Sequence, residues 1–338
     1  MKAMIDDFEI FPGDHCGSVA MRGLLRHYCD LALPEAAVFG LGAGLASGFI
    51  NNPGADPSVV LFGRTMEMEI DLAKHLGIDY RETTVDDNDE AWRLVREEVI
   101  NGRPTMLVGD IFYLDYRDYK VNFPSHRFVL VGFDDEEERV YIGDRINDTP
   151  EVCSLGAVRE SRNPATGRSD QNRWGCFHDT AVGNSLADAA ESAIRQCAED
   201  MLNPQTVPQE FGNISLGVEG ARDYAKALPK QCGDAKAKAT ASFNAACIEK
   251  FGNGGGNFRR LYAGFLEWAR DLDPKLVPAE APALATSAAD QWTSASAALF
   301  RASDEPELQS HWDAAGHHVA RAADLEERLF IGLAKTVG

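Results

Sequence analysis

The spacing of apolar residues divides the first 150 residues into helices followed by strands. Met21, Leu24, Leu25 and Tyr28 lie at positions i, i+3, i+4 and i+7, which predicts the buried face of a helix that begins near Cys16. The same criteria predict helices over 66–76 and 89–100, strands over 59–62, 80–84 and 105–108, and a hairpin formed by 127–133 and 139–144. Helices first and an antiparallel sheet last is the order of an α+β domain.

The second half of the chain has a helical pattern. Alanine-rich stretches dominate after residue 186, and Phe258, Leu261, Tyr262 and Phe265 form one apolar stripe. Residues 150–184 are polar and rich in glycine, asparagine and arginine, which predicts a long loop. Because 338 residues is long for one hydrophobic core, we expect two domains. The expected division is an α+β domain over 1–150, a linker or insertion over 151–185, and a mainly α-helical domain over 186–338.

Charge and composition limit the class of partner. The chain has 53 acidic and 33 basic residues, and its net charge of -20 argues against nucleic acid or an anionic membrane as a partner. Without a run of about 18 apolar residues or the apolar core of a signal peptide, the protein is expected in the cytoplasm. The seven cysteines are scattered without a CxxC pair, so neither a zinc site nor a disulfide framework is expected.

Three residues carry the candidate chemistry. Cys16 stands at the predicted start of a helix, where N–H groups and the helix dipole lower the pKa of a thiol and can hold an oxyanion. His126 begins one strand of the predicted hairpin and Asp144 ends the other, so Asp144 is placed to accept a hydrogen bond from Nδ1 of His126. Spacing supports this pair, but nothing in it brings Cys16 close. A buried structural cysteine and a strand-edge histidine bonded to backbone stay open as alternatives.

Several stretches of the chain resemble one known family. Residues 13–25 (GDHCGSVAMRGLL) and 38–45 (VFGLGAGL) resemble the N-terminal domain of the butirosin biosynthesis protein H family, a group of papain-like acyltransferase domains. Residues 125–134 (SHRFVLVGFD) resemble the histidine strand of that family and of the peptidases that process bacteriocin leaders. Residues 254–262 (GGGNFRRLY) resemble a motif in the helical domain that is often fused to it. The resemblance implies a papain-like cysteine-peptidase fold over 1–150, followed by a helical domain.

The resemblance also implies a reaction. The namesake of the family moves an aminoacyl chain from an acyl carrier protein thioester to an amine of an aminoglycoside. By that resemblance Cys16 would take the acyl group, His126 would shuttle protons and Asp144 would orient His126. The phosphopantetheine arm would belong to the carrier protein, so no cofactor of the chain itself is expected. The implied partners are the thioester donor and a small-molecule acceptor.

Two other functions stay open at this point. A cysteine peptidase, an amidase or a thioesterase would use the same three residues, and only the substrate separates it from a transferase. A non-catalytic binding protein on the same scaffold is the third interpretation. The sequence does not determine the oligomeric state.

Five further residues are candidates for substrate binding. Papain-like enzymes usually carry a glutamine ahead of the nucleophile, but this chain has none there. The side chains of Asp14 and His15, or a backbone N–H of the glycine-rich segment 40–44, are the candidates for the second oxyanion donor. Gly17 allows a close approach of the backbone. Asp110 follows a predicted strand and is a candidate for binding a substrate amine, with a solvated acid at the strand end as the alternative. Arg259 lies in the one basic concentration of the second domain, where it is a candidate for docking an acidic carrier protein or contacting its phosphopantetheine arm, with an ordinary solvated helix face as the alternative.

Overall fold

The chain crosses three times between two units in the computed structural model, which describes residues 1–205 and 213–337. Unit 1 is formed by Met1–Val38 and Leu76–Gly183, and unit 2 by Phe39–His75 and Asn184–Gly338. In chain order the elements are β1 (Lys2–Met4), α1 (Cys16–Cys29), α2 (Glu35–Leu41), β2 (Leu45–Asn51), β3 (Val59–Arg64), α3 (Met68–Leu76), β4 (Tyr80–Thr83), α4 (Asn88–Ile100), β5 (Thr105–Gly109), β6 (His126–Asp134), β7 (Arg139–Gly143), β8 (Glu151–Ser154), α5 (Leu155–Arg162), β9 (Trp174–Phe177), α6 (Leu186–Leu202), β10 (Asn213–Leu216), α7 (Gly217–Ala227), α8 (Ala237–Glu249), α9 (Arg259–Leu272), α10 (Ala281–Asp304) and α11 (Gln309–Val337).

Unit 1 is built on a seven-stranded antiparallel sheet. The strand order is β4-β9-β5-β6-β7-β8, and β1 also pairs with β6. Leu107, Phe128 and Val140 come from three neighbouring strands and join Val95 and Val99 of α4 in one buried cluster. Because successive strand residues face opposite sides of a sheet, the other face is left for α1, which packs against β6.

The first helix has the buried face that its sequence predicts. Met21, Leu24 and Leu25 are almost completely buried, while Tyr28 is partly exposed and donates its hydroxyl proton to the carbonyl of Pro104. Asp30 caps the C-terminal end of this helix, and its left-handed backbone (φ 53°) directs its N–H to the carbonyl of Leu25. A local contact therefore fixes the C-terminal end of α1, and the first residue of the helix is Cys16.

Unit 2 combines a small sheet with long helices. The sheet is antiparallel in the order β10-β2-β3, so residues 39–75 supply two of its three strands. The long helices α10 and α11 pack on each other, and α8 packs on α10 while α7 and α6 pack on α11. Trp292 and Trp312 are fully buried on the two long helices. In the described residues no helix is both long and apolar enough to cross a bilayer.

The structure confirms the predicted fold class and corrects one predicted segment. Unit 1 is α+β, and the rest of the chain is mainly helical. The long loop predicted over 150–184 is wrong, because this stretch contains β8, α5 and β9. The strand β9 is a run of four buried residues between polar neighbours, so the polar composition of the stretch concealed it.

The compact units also differ from the sequential division expected from composition. Residues 39–75 lie in unit 2 because β2 pairs with β10, and residues 151–183 lie in unit 1 because β9 pairs with β4 and β5. The placement of both segments depends on strand pairing over long sequence separations, which local composition cannot reveal.

Candidate active site

Cys16 is the first residue of α1, as predicted. His15 is the N-cap residue with an extended backbone, and its Nδ1 accepts a hydrogen bond from the N–H of Ser18 at 3.2 Å. This bond satisfies one of the N–H groups that have no partner within the helix. The side chain of His15 is therefore a helix cap, and the side chains of His15 and Cys16 are both buried.

His126 and Asp144 form the predicted pair through a different ring nitrogen. Nε2 of His126 lies 3.1 Å from Oδ1 of Asp144, and both side chains are at most 3% exposed. The sequence analysis predicted that Nδ1 of His126 would bond Asp144, and this choice of atom was wrong. Strand spacing cannot decide which edge of an imidazole faces the acid. Cys16 also makes a side-chain hydrogen bond with His126.

The electrostatics of this pair favour its charged form. Burial alone lowers the pKa of His126, but the charge and hydrogen bond of Asp144, with a hydrogen bond from Cys16, outweigh burial and raise it to about 10. Burial raises the pKa of Asp144, yet His126, Tyr116 and the N–H of Arg145 together hold it well below its usual range. At neutral pH the pair is therefore an imidazolium and a carboxylate. A positive imidazolium beside Cys16 favours the thiolate form of its side chain.

Tyr116 is a residue of the site that sequence reasoning missed. Its hydroxyl donates a hydrogen bond of 2.6 Å to Oδ2 of Asp144, while the N–H of Arg145 donates to Oδ1 at 2.7 Å. Burial and the negative charge of Asp144 raise the pKa of Tyr116 far above its usual value, so it remains a donor. The only sequence signal is the aromatic run between β5 and β6, where no periodicity indicates which ring faces inward.

Asp110 bonds both ends of the segment between β5 and β6, which contains Tyr116. Its carboxylate accepts the N–H groups of Phe112 and Phe123 at 3.0 and 2.8 Å, and the side-chain amide of Asn122 at 2.9 Å. The residue is buried, and these three bonds hold together the two ends of the segment between β5 and β6. The structure therefore gives Asp110 a structural role in this segment, and its binding of a substrate amine stays a prediction.

Tyr119, on the same segment, was also missed. Burial raises the pKa of its phenol, and the charges of Asp144 and Cys16 raise it further against the opposing effect of Arg117 and Arg145. The partly buried phenol of Tyr119 therefore interacts electrostatically with both the thiol and the acid of the site.

The remaining predicted site residues have different outcomes. Asp14 is exposed next to the N-cap, and Gly17 is buried in the first turn of α1 beside Cys16. Arg259 lies in the interior of unit 2, fully buried, with two bonds of 2.8 and 3.0 Å to the carboxylate of Glu326. The prediction that Arg259 docks a carrier protein was wrong, because a fully buried guanidinium cannot reach a partner. In the described part of the chain, no group of three or more His, Cys, Asp or Glu side chains is arranged to hold a metal ion.

Comparison with known families divides the chain into two matched regions. Residues 15–145 match the family model of butirosin biosynthesis protein H, N-terminal. Residues 154–333 match a domain of unknown function, DUF4872. No curated protein matches the chain. Cys16, His126 and Asp144 all fall within the first matched region.

Proposed function

Since the chain belongs to the DUF4872 family, and its residues 15–145 are related to a protein of butirosin biosynthesis, we propose that it is a biosynthetic cysteine acyltransferase. One observation carries this proposal: Cys16 begins a helix beside an imidazole that is bonded to a buried carboxylate. A nucleophile, a base and a group that orients the base are the parts that acyl transfer through a covalent intermediate requires.

In the first proposed step the thiolate of Cys16 attacks the carbonyl carbon of a thioester donor, such as one carried by an acyl carrier protein. A new carbon–sulfur bond forms, and N–H groups at the start of α1 stabilise the oxyanion. The bond to the donor sulfur then breaks, and the departing thiolate takes a proton from the imidazolium of His126. The products of this step are acyl-Cys16, a free donor thiol and a neutral His126.

In the second step an acceptor amine attacks acyl-Cys16. Neutral His126 removes one proton from the amine, and Cys16 leaves as a thiolate, which restores the thiolate–imidazolium pair. The sum of both steps is an amide and a free thiol from a thioester and an amine. Asp144 stays ionised throughout and holds the imidazole, while Tyr116 and the N–H of Arg145 hold Asp144.

Intact-mass spectrometry after incubation with a panel of acyl thioesters tests the proposal. We expect the wild-type protein to gain the mass of one acyl group, and fragment spectra to map it to the peptide that contains Cys16. The Cys16→Ala protein should gain nothing, whereas Cys232→Ala, which removes a partly exposed cysteine of unit 2, should behave as wild type. An adduct that persists in Cys16→Ala, or no adduct with any thioester, would contradict the proposal.

The fate of the adduct separates transfer from hydrolysis. Adding a panel of small amines to the isolated acyl-enzyme should release the acyl group as an amide, faster than water releases it as an acid. If the acyl group is released at the same rate with and without amines, the protein is a thioesterase, and this result would contradict the proposal of a transferase.

Removal of the Tyr119 hydroxyl should slow the acylation step. We propose that this hydroxyl supplies the second hydrogen bond to the oxyanion, since the phenol interacts electrostatically with Cys16 and Asp144 in a chain that lacks the usual glutamine. Loss of one such donor costs about 10²-fold or more in kcat. Tyr119→Phe should therefore lower kcat about 10²-fold with little change in KM, as measured by steady-state turnover of a small thioester. Tyr113→Phe, on the same segment, is the matched control, and equal rates for the two variants would exclude the role.

A further inference from the structure

The backbone ahead of the nucleophile is bound by a carboxylate from another helix. Glu35 begins α2, and its Oε1 accepts the N–H of His15 at 2.7 Å and the N–H of Asp14 at 3.1 Å. Its Oε2 lies 3.0 Å from the same N–H of Asp14, and the hydroxyl of Ser18 donates to Oε1 at 3.1 Å. One carboxylate thus binds residues on both sides of Cys16.

The chain is shaped for this contact. A Cβ atom built on Gly13 would lie 2.4 Å from Oε2 of Glu35 and 2.5 Å from a methyl carbon of Val19. Any side chain at position 13 would therefore push the carboxylate or the helix away. Glycine at this position allows the backbone to pass between α1 and α2 at the distance that the hydrogen bonds require.

The same short segment is tied to the acid of the triad on its other side. The N–H of Gly13 donates to the carbonyl of Arg145 at 2.8 Å, and the N–H of Arg145 donates to Oδ1 of Asp144. Residues 13–15 are consequently held between Glu35 and the neighbour of Asp144. This arrangement fixes the start of α1 with respect to the His–Asp pair.

We infer that Glu35 is a positioning residue for the nucleophile, whose carboxylate holds the backbone at Asp14 and His15 so that Cys16 begins α1 beside His126. The inference rests on the proposed function, since it concerns the reactivity of Cys16. Glu35 acts through backbone and hydroxyl groups and has no part in the proposed bond-making steps. Its three donors also explain why a negative charge is tolerated close to a thiolate, which it would otherwise disfavour.

Replacing Glu35 by glutamine separates positioning from charge, because the two effects have opposite signs. Glutamine keeps the size of the side chain but loses one acceptor oxygen, so the segment before Cys16 is held less firmly. Removing a nearby negative charge alone would stabilise the thiolate and speed its alkylation. Loss of positioning should slow alkylation and move the midpoint of its pH profile upward, since the thiolate then loses alignment with the helix start and with His126.

The experiment measures the rate at which iodoacetamide alkylates Cys16 between pH 5 and 10, by mass spectrometry of the peptide. We expect Glu35→Gln to lower the rate at neutral pH about 10-fold, as the loss of one hydrogen bond to a charged group would, with alkylation of Cys232 unchanged. In turnover, kcat should fall by the same factor with KM nearly constant. Glu9→Gln, which removes an exposed acid from the same N-terminal segment, should match the wild type. A rate equal to or faster than that of the wild type in Glu35→Gln would overturn the inference.

The readouts distinguish this inference from the proposed function. A Cys16 that is unreactive in the wild-type protein over the whole pH range would remove the proposed function and the inference with it. A reactive Cys16 whose rate is unchanged in Glu35→Gln would remove the inference alone. If Glu35→Gln does not fold, hydrogen exchange in the wild-type protein decides: slow exchange of the Asp14 and His15 amides supports the inference, and fast exchange overturns it.

Discussion

Alanine in place of His126 should lower the rate of Cys16 acylation about 10⁴-fold, because one side chain fills two roles in the proposed mechanism. Its imidazolium favours the thiolate of Cys16 in the resting site, and it gives a proton to the donor thiolate that departs in the first step. The measurement is single-turnover acylation by a small thioester, quenched in acid and read by intact mass. His317→Ala, which removes an exposed histidine of α11, is the matched control and should leave the rate unchanged.

The charge of Asp144 accounts for the pH range over which this site should work. The pKa of His126 lies at about 10 instead of near 6.5, so the imidazolium is present at neutral pH and is lost as the pH rises through about 10. The contribution of the raised His126 pKa to the free energy of unfolding has the same pH dependence. It is fully present below pH 6.5 and is lost as the pH rises through about 10. On the acid side, the lowered pKa of Asp144 means that this contribution declines as the pH falls below about 4.

Asp144→Asn is a milder variant that tests the contribution of the carboxylate charge to the same rate. The amide keeps an acceptor oxygen for Nε2 but removes the charge, so the pKa of His126 should fall by about 1–3 units. The basic limb of the rate–pH profile should therefore move toward neutral pH, and the loss of rate at pH 7 should be smaller than in His126→Ala. A basic limb that stays near pH 10 in Asp144→Asn would show that the carboxylate does not set the pKa of His126.

Breaking the buried ion pair of unit 2 should have the largest effect on stability. Arg259 and Glu326 are fully buried and bound through two hydrogen bonds, and the indole of Trp292 donates to the same carboxylate at 2.7 Å. Glu326→Gln leaves the guanidinium charged and buried without a counter-ion, which costs about 3–5 kcal/mol. We expect the free energy of unfolding, obtained from tryptophan fluorescence in urea, to fall by that amount and the midpoint to move to a lower urea concentration.

Glu327→Gln is the control for this prediction. Glu327 is the next residue of α11 but is 42% exposed and pairs with Arg222 at the surface. Exposed pairs contribute about 0–1 kcal/mol, so this variant should unfold near the wild-type midpoint. Equal midpoints for the two variants would mean that burial of the Arg259–Glu326 pair has no special cost.

Local patterns were sufficient for much of unit 1 and for half of the candidate site. The 3.6-residue spacing predicted α1, and two apolar runs around an acidic turn predicted the β6–β7 hairpin, which brings His126 to Asp144. These features depend on residues that are neighbours in sequence. The position of Cys16 beside His126 entered only through the family resemblance, since its contact spans more than 100 residues.

Features that depend on long-range contacts or on burial could not be read from the sequence. The four residues of β9 pair with β4, which lies 91 to 97 residues earlier, and with β5, which lies 67 to 69 residues earlier, so no local window reveals the strand. Tyr116 acts through one hydrogen bond from an irregular segment, and Glu35 acts through several from the start of a helix, so neither leaves a periodic signal. Arg259 was misinterpreted because a charged residue is expected at the surface unless its partner is known, and Glu326 is 67 residues away.

Each of the two matched regions supplies strands to the compact unit formed mainly by the other, and this has a consequence for how such genes evolve. Residues 39–75 belong to the first matched region but supply β2 and β3 to unit 2, while β9 belongs to the second matched region but pairs inside the sheet of unit 1. A gene that lost everything after residue 154 would encode a sheet without its strand between β4 and β5, and a β2 without β10. We therefore expect the two regions to be inherited together, and neither to be found as a freely transferable module when the strands are arranged in this way.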